Sequence, residues 1–331
     1  MVTPRSLCLV SPHHLANNPR VVKEATALQA SGFVVTVIHG RFQSHLVSED
    51  EAIAASHDWH ARPVDWRRRP GSLFAEMNHR LARLLLRVLR APSLSLAARA
   101  EHRAAQALAA AAGRVQASLY IGHTPAGLCA AAAAARRNRG RLGFDAEDYH
   151  PAETDDVVRD AWRQRGLHTI EKHLLPACAS LTASSPLIGA HYASTYGIRH
   201  PSVVLNAFPR SQALSAPQAA RRDDSRRPRL YWFSQTIGHG RGLEELLVVL
   251  GRAKVVCDVF LRGTPESGFI EALNRLAATA QYRGRLHLLP RAPASDLVRL
   301  CADYDLGLAL EKSTPLNRDL CLTNKLFAYL L

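Results

Sequence analysis

Several features that would narrow the function of this chain are missing from its sequence. No stretch reaches the roughly 18 consecutive apolar residues that a membrane-spanning helix needs. The opening segment MVTPRSLCLVSPHH lacks the long apolar core of a secretory signal peptide. Neither a P-loop pattern nor G-x-G-x-x-G follows an apolar run. The sequence therefore predicts no membrane span and gives no support to the two commonest nucleotide-binding motifs.

Paired cysteines are also missing. The six cysteines are scattered, mostly in apolar runs, and none forms a C-x-x-C pair, which is typical of buried free thiols in a reducing compartment. We therefore expect a cytoplasmic protein. The cysteines are Cys8, Cys129, Cys178, Cys257, Cys301 and Cys321.

The composition that is present describes a large, basic, globular chain. The 331 residues are 47% hydrophobic and 21% charged, and a chain of this length favours two domains. The net charge of +14 comes almost entirely from arginine, since only five of the 42 basic residues are lysines. This charge favours anionic partners such as phosphate groups or lipid. Nucleic acid is not predicted, because no aromatic side chains or known binding module accompany the positive charge.

Short apolar runs alternate with helical patterns along most of the chain. The runs at 6–10, 33–38, 117–122, 142–146, 180–185 and 202–206 are separated by helix-length segments, which indicates parallel βαβ units. A polar stretch interrupts this rhythm, and the rhythm restarts at RLYWF. We predict an α/β protein with a first Rossmann-like domain at 1–208, a linker at 209–228, and a second, incomplete domain at 229–331.

Polar side chains follow several of the predicted strands. Asn18 and Arg20 come after the first strand, His123 after the run at 117–122, and Glu147 and Asp148 after the run at 142–146. In an open parallel sheet, ligands bind beyond the carboxyl ends of the strands. Each residue alone is more often a helix cap or a surface residue, but their shared position predicts a site at this edge.

The second domain offers two places for an anion. Gly238, Gly240 and Gly242 follow the strand RLYWF and permit a tight turn, and Arg241 stands just before the next helix. Asn324 and Lys325 lie at another helix start, where free N–H groups favour an anion. The alternative is a flexible loop with a surface arginine. The D-x-D sequence at 303–305 ends a helix and opens a strand, so we predict no metal there, and no cofactor.

These motifs together resemble the GT-B glycosyltransferases of the GT4 type, over nearly the whole chain. The similar segments are NNPRVVKEATALQASGFVVTVI, FDAEDYHPAE, LTASSPLIGAHYASTYG, VVLNAFP, FSQTIGHGRGLEELL and NKLFAYLL. The resemblance implies two Rossmann-like domains. It also implies transfer of a sugar from a nucleotide-diphosphate donor to a sugar or lipid-linked hydroxyl acceptor in cell-envelope or exopolysaccharide synthesis, with retention of configuration and without a metal.

The resemblance also implies roles for individual residues. Arg241, with Gln235 and Gly238, would bind the donor diphosphate together with Asn324 and Lys325 at the last helix. Asn18 and Arg20 would lie on the acceptor-side loop, and the catalytic residues would be His123, Glu147 and Asp148. Two positions depart from the family pattern. Glu147 replaces the usual His, and Ala328 replaces the second Glu of the family's E-x7-E motif, which binds the donor ribose. Glu311 and Asp319 have the spacing of this motif but are out of register with the last helix.

Two other interpretations fit the same sequence. A nucleotide-sugar 2-epimerase of the same fold would use acidic and histidine groups for elimination chemistry. A catalytically degenerate, membrane-recruited binding subunit would account for Ala328, Glu147 and the basic charge.

The segment at 74–90 forms a basic amphipathic helix. Arg80, Arg83, Arg87 and Arg90 share one face beside a row of leucines, which suits peripheral contact with the inner face of an anionic membrane. The alternative is that Leu81, Leu84, Leu85 and Val88 pack on the sheet and the arginines face water.

The final helix has no stop signal before Leu331. From the resemblance, a small-residue turn, a further strand and a C-terminal helix are expected to follow it. The sequence therefore predicts a fragment that is unstable or inactive by itself.

Overall fold

The computed structural model of the protein describes residues 6–67, 72–154, 157–213 and 227–331. The centre of the predicted linker, 214–226, lies outside the described residues. The chain divides into two compact units, one of Met1–Leu205 with Pro315–Cys321 and one of Asn206–Thr314 with Leu322–Leu331. The short segment Pro315–Cys321, within the predicted second domain, thus groups with the first unit.

The first unit contains a sheet of seven strands. Their order in the sheet is β3-β2-β1-β4-β5-β6-β7, and every neighbouring pair is parallel. The strand order reverses between β1 and β4, which makes their carboxyl ends the topological switch point. The strands are β1 (Ser6–Val10), β2 (Val34–Gly40), β3 (His60–Val64), β4 (Leu119–His123), β5 (Arg141–Ala146), β6 (Cys178–Ala183) and β7 (Ser202–Val203).

The second unit contains a four-stranded parallel sheet in the order β10-β9-β8-β11. Here the order reverses between β8 and β11. The strands are β8 (Arg229–Ile237), β9 (Asp258–Pro265), β10 (Leu286–Leu289) and β11 (Leu306–Gly307).

Helices connect the strands in both units, as a parallel sheet requires. In the first unit they are α1 (Pro19–Ala30), α2 (Val47–Ala55), α3 (Ser72–Val88), α4 (Leu94–Glu101), α5 (Ala105–Ala112), α6 (Thr124–Asn138), α7 (Val157–Leu174), α8 (Pro186–Tyr196) and, later in the chain, α12 (Leu316–Leu320). In the second unit they are α9 (Leu243–Arg252), α10 (Phe269–Thr279), α11 (Leu297–Cys301) and α13 (Asn324–Leu330).

The α/β class and the two parallel sheets predicted from the sequence are confirmed. The apolar runs form strands because buried parallel strands are apolar on both faces. Gly32, just after the end of α1, has φ of 87°, a value that favours glycine. Strand β3 was missed, because its sequence HARPV is mostly exposed and has no apolar run. All six cysteines are free thiols.

The amphipathic helix α3 differs from one of its two predicted arrangements. The side chains of Leu81, Leu84, Leu85 and Val88 are 54%, 57%, 43% and 75% exposed. The prediction that they pack on the sheet is therefore wrong. Ala82 and Leu86, on the opposite face, are buried instead. An apolar face of α3 is therefore directed to solvent. No helix in the described part of the chain combines the length and the apolar character needed to cross a bilayer.

Candidate functional site

Polar side chains meet at the switch point of the first sheet. His123 is the last residue of β4 and pairs in register with Asp145 on β5. Asn18 and Arg20 follow β1, at the start of α1, where the side chain of Asn18 accepts a hydrogen bond from the amide of Val21. The predicted sheet edge therefore brings these groups together because parallel strands end at the same side.

His123 lies at the centre of a cluster of carboxylates. Its Nδ1 is 2.8 Å from Oε1 of Glu147, and its Nε2 is 2.7 Å from Oε2 of Glu24. Oε1 of Glu147 also accepts a hydrogen bond of 3.0 Å from the side-chain amide of Asn18. The His123 side chain is fully buried, whereas those of Glu24 and Glu147 keep some exposure. The carboxylates, rather than the imidazole, form the accessible edge of the cluster.

The charges in this cluster determine its protonation. Burial disfavours the charged imidazole, but the negative charge of Glu24, 2.7 Å away, and the hydrogen bond to Glu147 outweigh it and raise the pKa of His123 to about 10. Burial likewise opposes ionisation of Glu147, yet its bond to His123 lowers the pKa of that carboxyl below its usual range. At neutral pH, His123 is therefore a cation and Glu147 an anion, so His123 is not available as a general base.

Arg20 and Asp145 form a second buried pair beside the first. Nε and Nη2 of Arg20 donate to the two oxygens of Asp145 at 2.5 and 2.7 Å, and Nη1 donates to the carbonyl of Val204 at 2.7 Å. The hydroxyl of Thr182 donates to Asp145 as well. Although burial raises it, the pKa of Asp145 is lowered overall by the guanidinium and by His123. The role of Arg20 in the structure is thus to neutralise Asp145, beneath the cluster.

The turn between β4 and α6 is strained at the same place. Thr124 has φ of 64°, which is unfavourable for a β-branched residue, and its buried hydroxyl has no hydrogen-bond partner in the described structure. Gly122 permits the close approach of β4 to α6, because a Cβ there would lie 2.3 Å from the amide nitrogen of Leu128. Backbone strain of this kind is frequent at functional sites, where it fixes neighbouring groups.

Three residues of the cluster have the ligand types of a metal site. Glu24, His123 and Asp145 each have a ligand atom within 4.8 Å of the others. Both oxygens of Asp145 already accept from Arg20, however, and His123 lies at hydrogen-bond distance from Glu24. An ion would have to displace the guanidinium, so this group does not fit a resident metal.

In the D-x-D segment, Asp305 accepts a hydrogen bond from the amide of Arg229, which is a structural role.

Asp148 has different partners from its neighbour Glu147. Its carboxylate accepts from the side-chain amide of Asn317 at 3.0 Å and from the thiol of Cys321 at 3.1 Å. Asn317 in turn accepts from the backbone amide of Tyr149. The side chain of Asp148 therefore connects the end of β5 to α12, and the structure does not bring it to His123.

The glycine loop of the second unit follows β8 as predicted. Gly240 and Gly242 have φ of 67° and 78°, values that favour glycine. A Cβ at Gly238 would lie 2.2 Å from the carboxyl carbon of Glu266, so this carboxylate lies directly against the loop. Gln235 is an exposed residue of β8, and Arg241 is half-buried next to the start of α9. An anion at this loop would share it with Glu266.

Lys325, at the start of α13, is buried and paired. Its Nζ lies 2.8 Å from Oε1 of Glu311 and 5.5 Å from the centre of the Trp232 ring. Glu311 follows β11, the strand on the other side of the second switch point. Asn324 begins the helix, without a side-chain cap from Thr323. The second unit therefore places Lys325 near the carboxyl ends of its strands, already balanced by one carboxylate.

Glu24, Asp145 and Asn317 were not among the site residues predicted from the sequence, and Glu311 was considered only for a family motif whose register it does not match. Glu24 lies one turn after Arg20 on α1, which is a helical spacing that could have suggested it. Asp145 lies inside the run at 142–146 that the sequence predicts as a strand. Asn317 and Glu311 have no local signal, because their partners are far away in the sequence or in another element.

Comparison with known proteins identifies the fold. No protein-family model matches the chain, and no curated protein matches its sequence. Among solved structures, it is similar to a sucrose-phosphate synthase from Thermosynechococcus elongatus, with a TM-score of 0.63 and 11% identity over 92% of this chain and 75% of that one. HepE from Anabaena, solved in complex with UDP, gives 0.57 and 13% over 92% and 73%.

A glycosyltransferase from Rickettsia africae ESF-5 gives a TM-score of 0.53 and 12% identity over 92% of this chain and 72% of that one. At these identities the similarity concerns the fold alone. The fold is the GT-B fold of glycosyltransferases, as the sequence predicted.

Proposed function

We propose that this protein is a glycosyltransferase of the GT4 type, which moves a sugar from a nucleotide-diphosphate donor to a hydroxyl acceptor. The observation that carries the proposal is the charged cluster at the switch point of a GT-B sheet, where His123 keeps Glu147 ionised at a partly accessible position. The complex of the similar HepE structure with UDP supports a nucleotide donor.

In this proposal, Glu147 accepts a hydrogen bond from the acceptor hydroxyl. Its remaining oxygen, Oε2, is available for that contact because Asn18 and His123 both bind Oε1. His123 is buried and acts through Glu147 as a positioning residue. Asp148 contributes by fixing the end of β5 through Asn317, and Arg20 contributes by neutralising Asp145.

The second unit binds the donor diphosphate in this proposal. Gly238 and its loop allow close approach of the backbone, and Arg241 supplies a cation, assisted by Gln235. Lys325 and Asn324 lie on the side of β11, the other strand of the same switch point. The leaving diphosphate gains negative charge in the transition state, and fixed cations can stabilise it without a metal. Retention of configuration and an acceptor in cell-envelope or exopolysaccharide synthesis belong to the proposal on the basis of the sequence resemblance.

A panel of UDP-, GDP- and ADP-sugars tests this proposal. We expect one nucleoside diphosphate to bind with micromolar affinity by calorimetry, and its sugar to be transferred or slowly hydrolysed. Glu147→Gln keeps the shape of the side chain, so it should leave nucleotide affinity unchanged while lowering transfer. Glu49→Gln, a change on α2 outside the cluster, is the matched control. The absence of binding by every nucleotide would contradict the proposal.

The product of the same assay separates the alternatives. An epimerase would convert the nucleotide sugar itself, without an acceptor, and the cluster of Glu24, His123 and Glu147 is the observation that favours it. A binding subunit would bind the nucleotide without turning it over. A product that appears only when an acceptor is added supports glycosyl transfer.

We also propose that α3 contacts the surface of an anionic membrane on the cytoplasmic side. The free cysteines agree with that reducing compartment. Arg83 and Arg87 lie over the ring of Trp162, beside the exposed apolar face. Side chains of this face follow at helical spacing and are all exposed; they are Leu73, Phe74, Met77, Leu81, Leu84, Leu85 and Val88. An apolar face with adjacent arginines suits an anionic bilayer.

Sedimentation with vesicles tests this contact. We expect binding to phosphatidylglycerol-containing vesicles at low salt and much weaker binding to phosphatidylcholine vesicles. Leu84→Asp should abolish it, whereas Leu187→Asp, at a similarly exposed leucine of α8, should not. Equal binding to both vesicle types would contradict the electrostatic part. If Leu84→Asp instead removes self-association measured without lipid, the face is an interface between two copies.

A further inference from the structure

A large cavity lies within the first unit, away from the His123 cluster. Its volume is about 700 Å³, and residues of α3, α4, α5, α6 and the end of α7 line it. Pockets of 300–1,000 Å³ are the usual size for small-molecule sites. The lining residues of α6 include Ala132 and Arg136, which are about 12–18 Å along the helix from its start beside His123, at a rise of 1.5 Å per residue.

The lining of this cavity is apolar in most places and basic in a few. Small or aliphatic side chains form its walls, among them Leu94, Ala98, Ala109, Ala133 and Leu174. Arg99, Arg103 and Arg136 also line it, and their residues are exposed, so their guanidinium groups have access to water. None of the described lining residues is acidic, although Nη1 of Arg103 lies 3.8 Å from Oε2 of Glu76, a residue of α3 outside the lining. The cavity therefore combines a surface for a hydrocarbon with several cations.

Helix α3 connects this cavity to the exposed apolar face. Ala75, Asn78 and His79 line the cavity from one side of the helix. Phe74, Met77 and other apolar side chains of the same helix are exposed to solvent. The exposed apolar face and the apolar lining of the cavity therefore lie on two sides of the same helix, α3.

We propose that this cavity binds the alkyl chain of an amphiphile whose anionic phosphate contacts Arg99, Arg103 or Arg136. The alkyl chain replaces water against the alanine and leucine walls, and the arginines bind phosphate oxygens through paired N–H groups. Two sources share this chemistry, a phospholipid of the bilayer and a lipid-linked phosphate. The proposal does not require sugar transfer, and it depends on the proposed membrane contact only for the supply of the ligand.

Binding of three probes to the full chain tests the proposal. Dodecyl phosphate below its micelle concentration should bind saturably, dodecanol at least several-fold more weakly, and inorganic phosphate not detectably. Arg136→Gln should weaken dodecyl phosphate and leave dodecanol unchanged. The adjacent Arg137→Gln, which does not line the cavity, is the control and should change neither. Equal affinity of all three probes would overturn the proposal. So would an unchanged affinity for dodecyl phosphate in a triple variant that combines Arg99→Gln, Arg103→Gln and Arg136→Gln.

A second pair of variants tests the cavity itself. Ala109→Phe fills it and should reduce dodecyl phosphate binding at least tenfold, whereas Ala110→Phe, at the exposed neighbouring position outside the cavity, should not. Thermal unfolding checks that both fold, and Ala132→Leu replaces Ala109→Phe if that variant does not. Unchanged binding in a folded, cavity-filled variant would overturn the proposal.

Competition identifies the source of the ligand. Either a short-chain phosphatidylglycerol or a short polyprenyl phosphate should displace dodecyl phosphate, and the tighter competitor is the physiological class. Displacement by neither would overturn the proposal. Nucleotide binding, measured on the same variants, should be unchanged, so loss of nucleotide binding alone would count against the proposed transferase and not against this cavity.

Discussion

The polar groups at the two switch points differ in how they are held. In the first unit, His123, Glu147 and the pair of Arg20 with Asp145 form a buried network in which the charges oppose one another directly. In the second unit, the glycine loop before α9 is defined by its backbone, and Arg241 is only half-buried. Buried charges need exact partners, whereas a loop for an exchangeable anion needs space and an accessible cation. The first site is therefore held by buried charge pairs, whereas the glycine loop of the second is shaped mainly by its backbone.

The largest expected effect is on the stability of the first network. Arg20→Ala leaves Asp145 buried without its partner, and loss of one member of such a pair costs about 3–5 kcal/mol of unfolding free energy. Urea unfolding followed by circular dichroism measures this loss. Arg80→Ala, which breaks an exposed ion pair with Glu76, should cost at most about 1 kcal/mol.

Adding a second change sharpens this test. Asp145→Asn combined with Arg20→Ala removes both charges and should recover part of the lost stability. If the loss of unfolding free energy in the double variant equals the sum of the losses in the two single variants, the two residues do not interact.

A smaller effect is expected at the glycine loop before α9, on function rather than on stability. If Arg241 neutralises the donor diphosphate, Arg241→Ala should lower kcat/KM for transfer by about 100-fold, corresponding to about 3 kcal/mol of transition-state stabilisation. Its urea midpoint should remain near that of the wild type. Arg252→Ala, at the exposed end of α9, serves as the matched control. An Arg241→Ala variant with full activity would remove this residue from the donor site.

A further consequence of the first network is a pH dependence of stability. In the folded state His123 keeps its proton up to about pH 10, while an unfolded histidine loses it near pH 6.5. Between these values the folded state binds more protons, so the unfolding free energy falls as pH rises from about 7 towards 10. The contribution is complete below pH 6.5. Urea unfolding at several pH values should give a smaller alkaline loss for His123→Asn than for the wild type.

The exposed His45 supplies the control for this experiment. His45→Asn should retain the wild-type slope, because its ring is not part of the network. Identical slopes for wild type and His123→Asn would contradict the assignment of a charged His123.

The smallest expected effect is that of metal removal. Arg20 already binds Asp145, and His123 is paired with Glu24 and Glu147, so these residues have no resident metal to lose. EDTA should therefore change nucleotide binding and transfer by less than about 20%. A lost metal ligand worth about 1.4 kcal/mol would change them tenfold. Activity measured before and after dialysis against EDTA checks this. Loss of transfer that zinc or magnesium restores would identify a metal site.

Local pattern was sufficient for part of this structure. Apolar runs bounded by polar turns predicted most of the strands, because a parallel strand buried on both faces has to be apolar. The start of α9 at Leu243 followed from the glycines just before it, and α13 begins at Asn324, which the sequence placed at a helix start. The edge strand β3 was not predicted, because an exposed strand has no such pattern.

The polar side chains show the division most clearly. The sequence by itself determined that Asn18, His123 and Glu147 come after strands that end at one sheet edge, since parallel strands share a direction. Only the tertiary structure decided that Glu147 binds His123 while Asp148 binds Asn317, because the backbone at the end of β5 turns two adjacent side chains to different neighbours. It also decided that Lys325 pairs with Glu311 and that the leucines of α3 face solvent. These outcomes depend on which elements pack together, and the spacing of residues along one helix or strand does not contain that information.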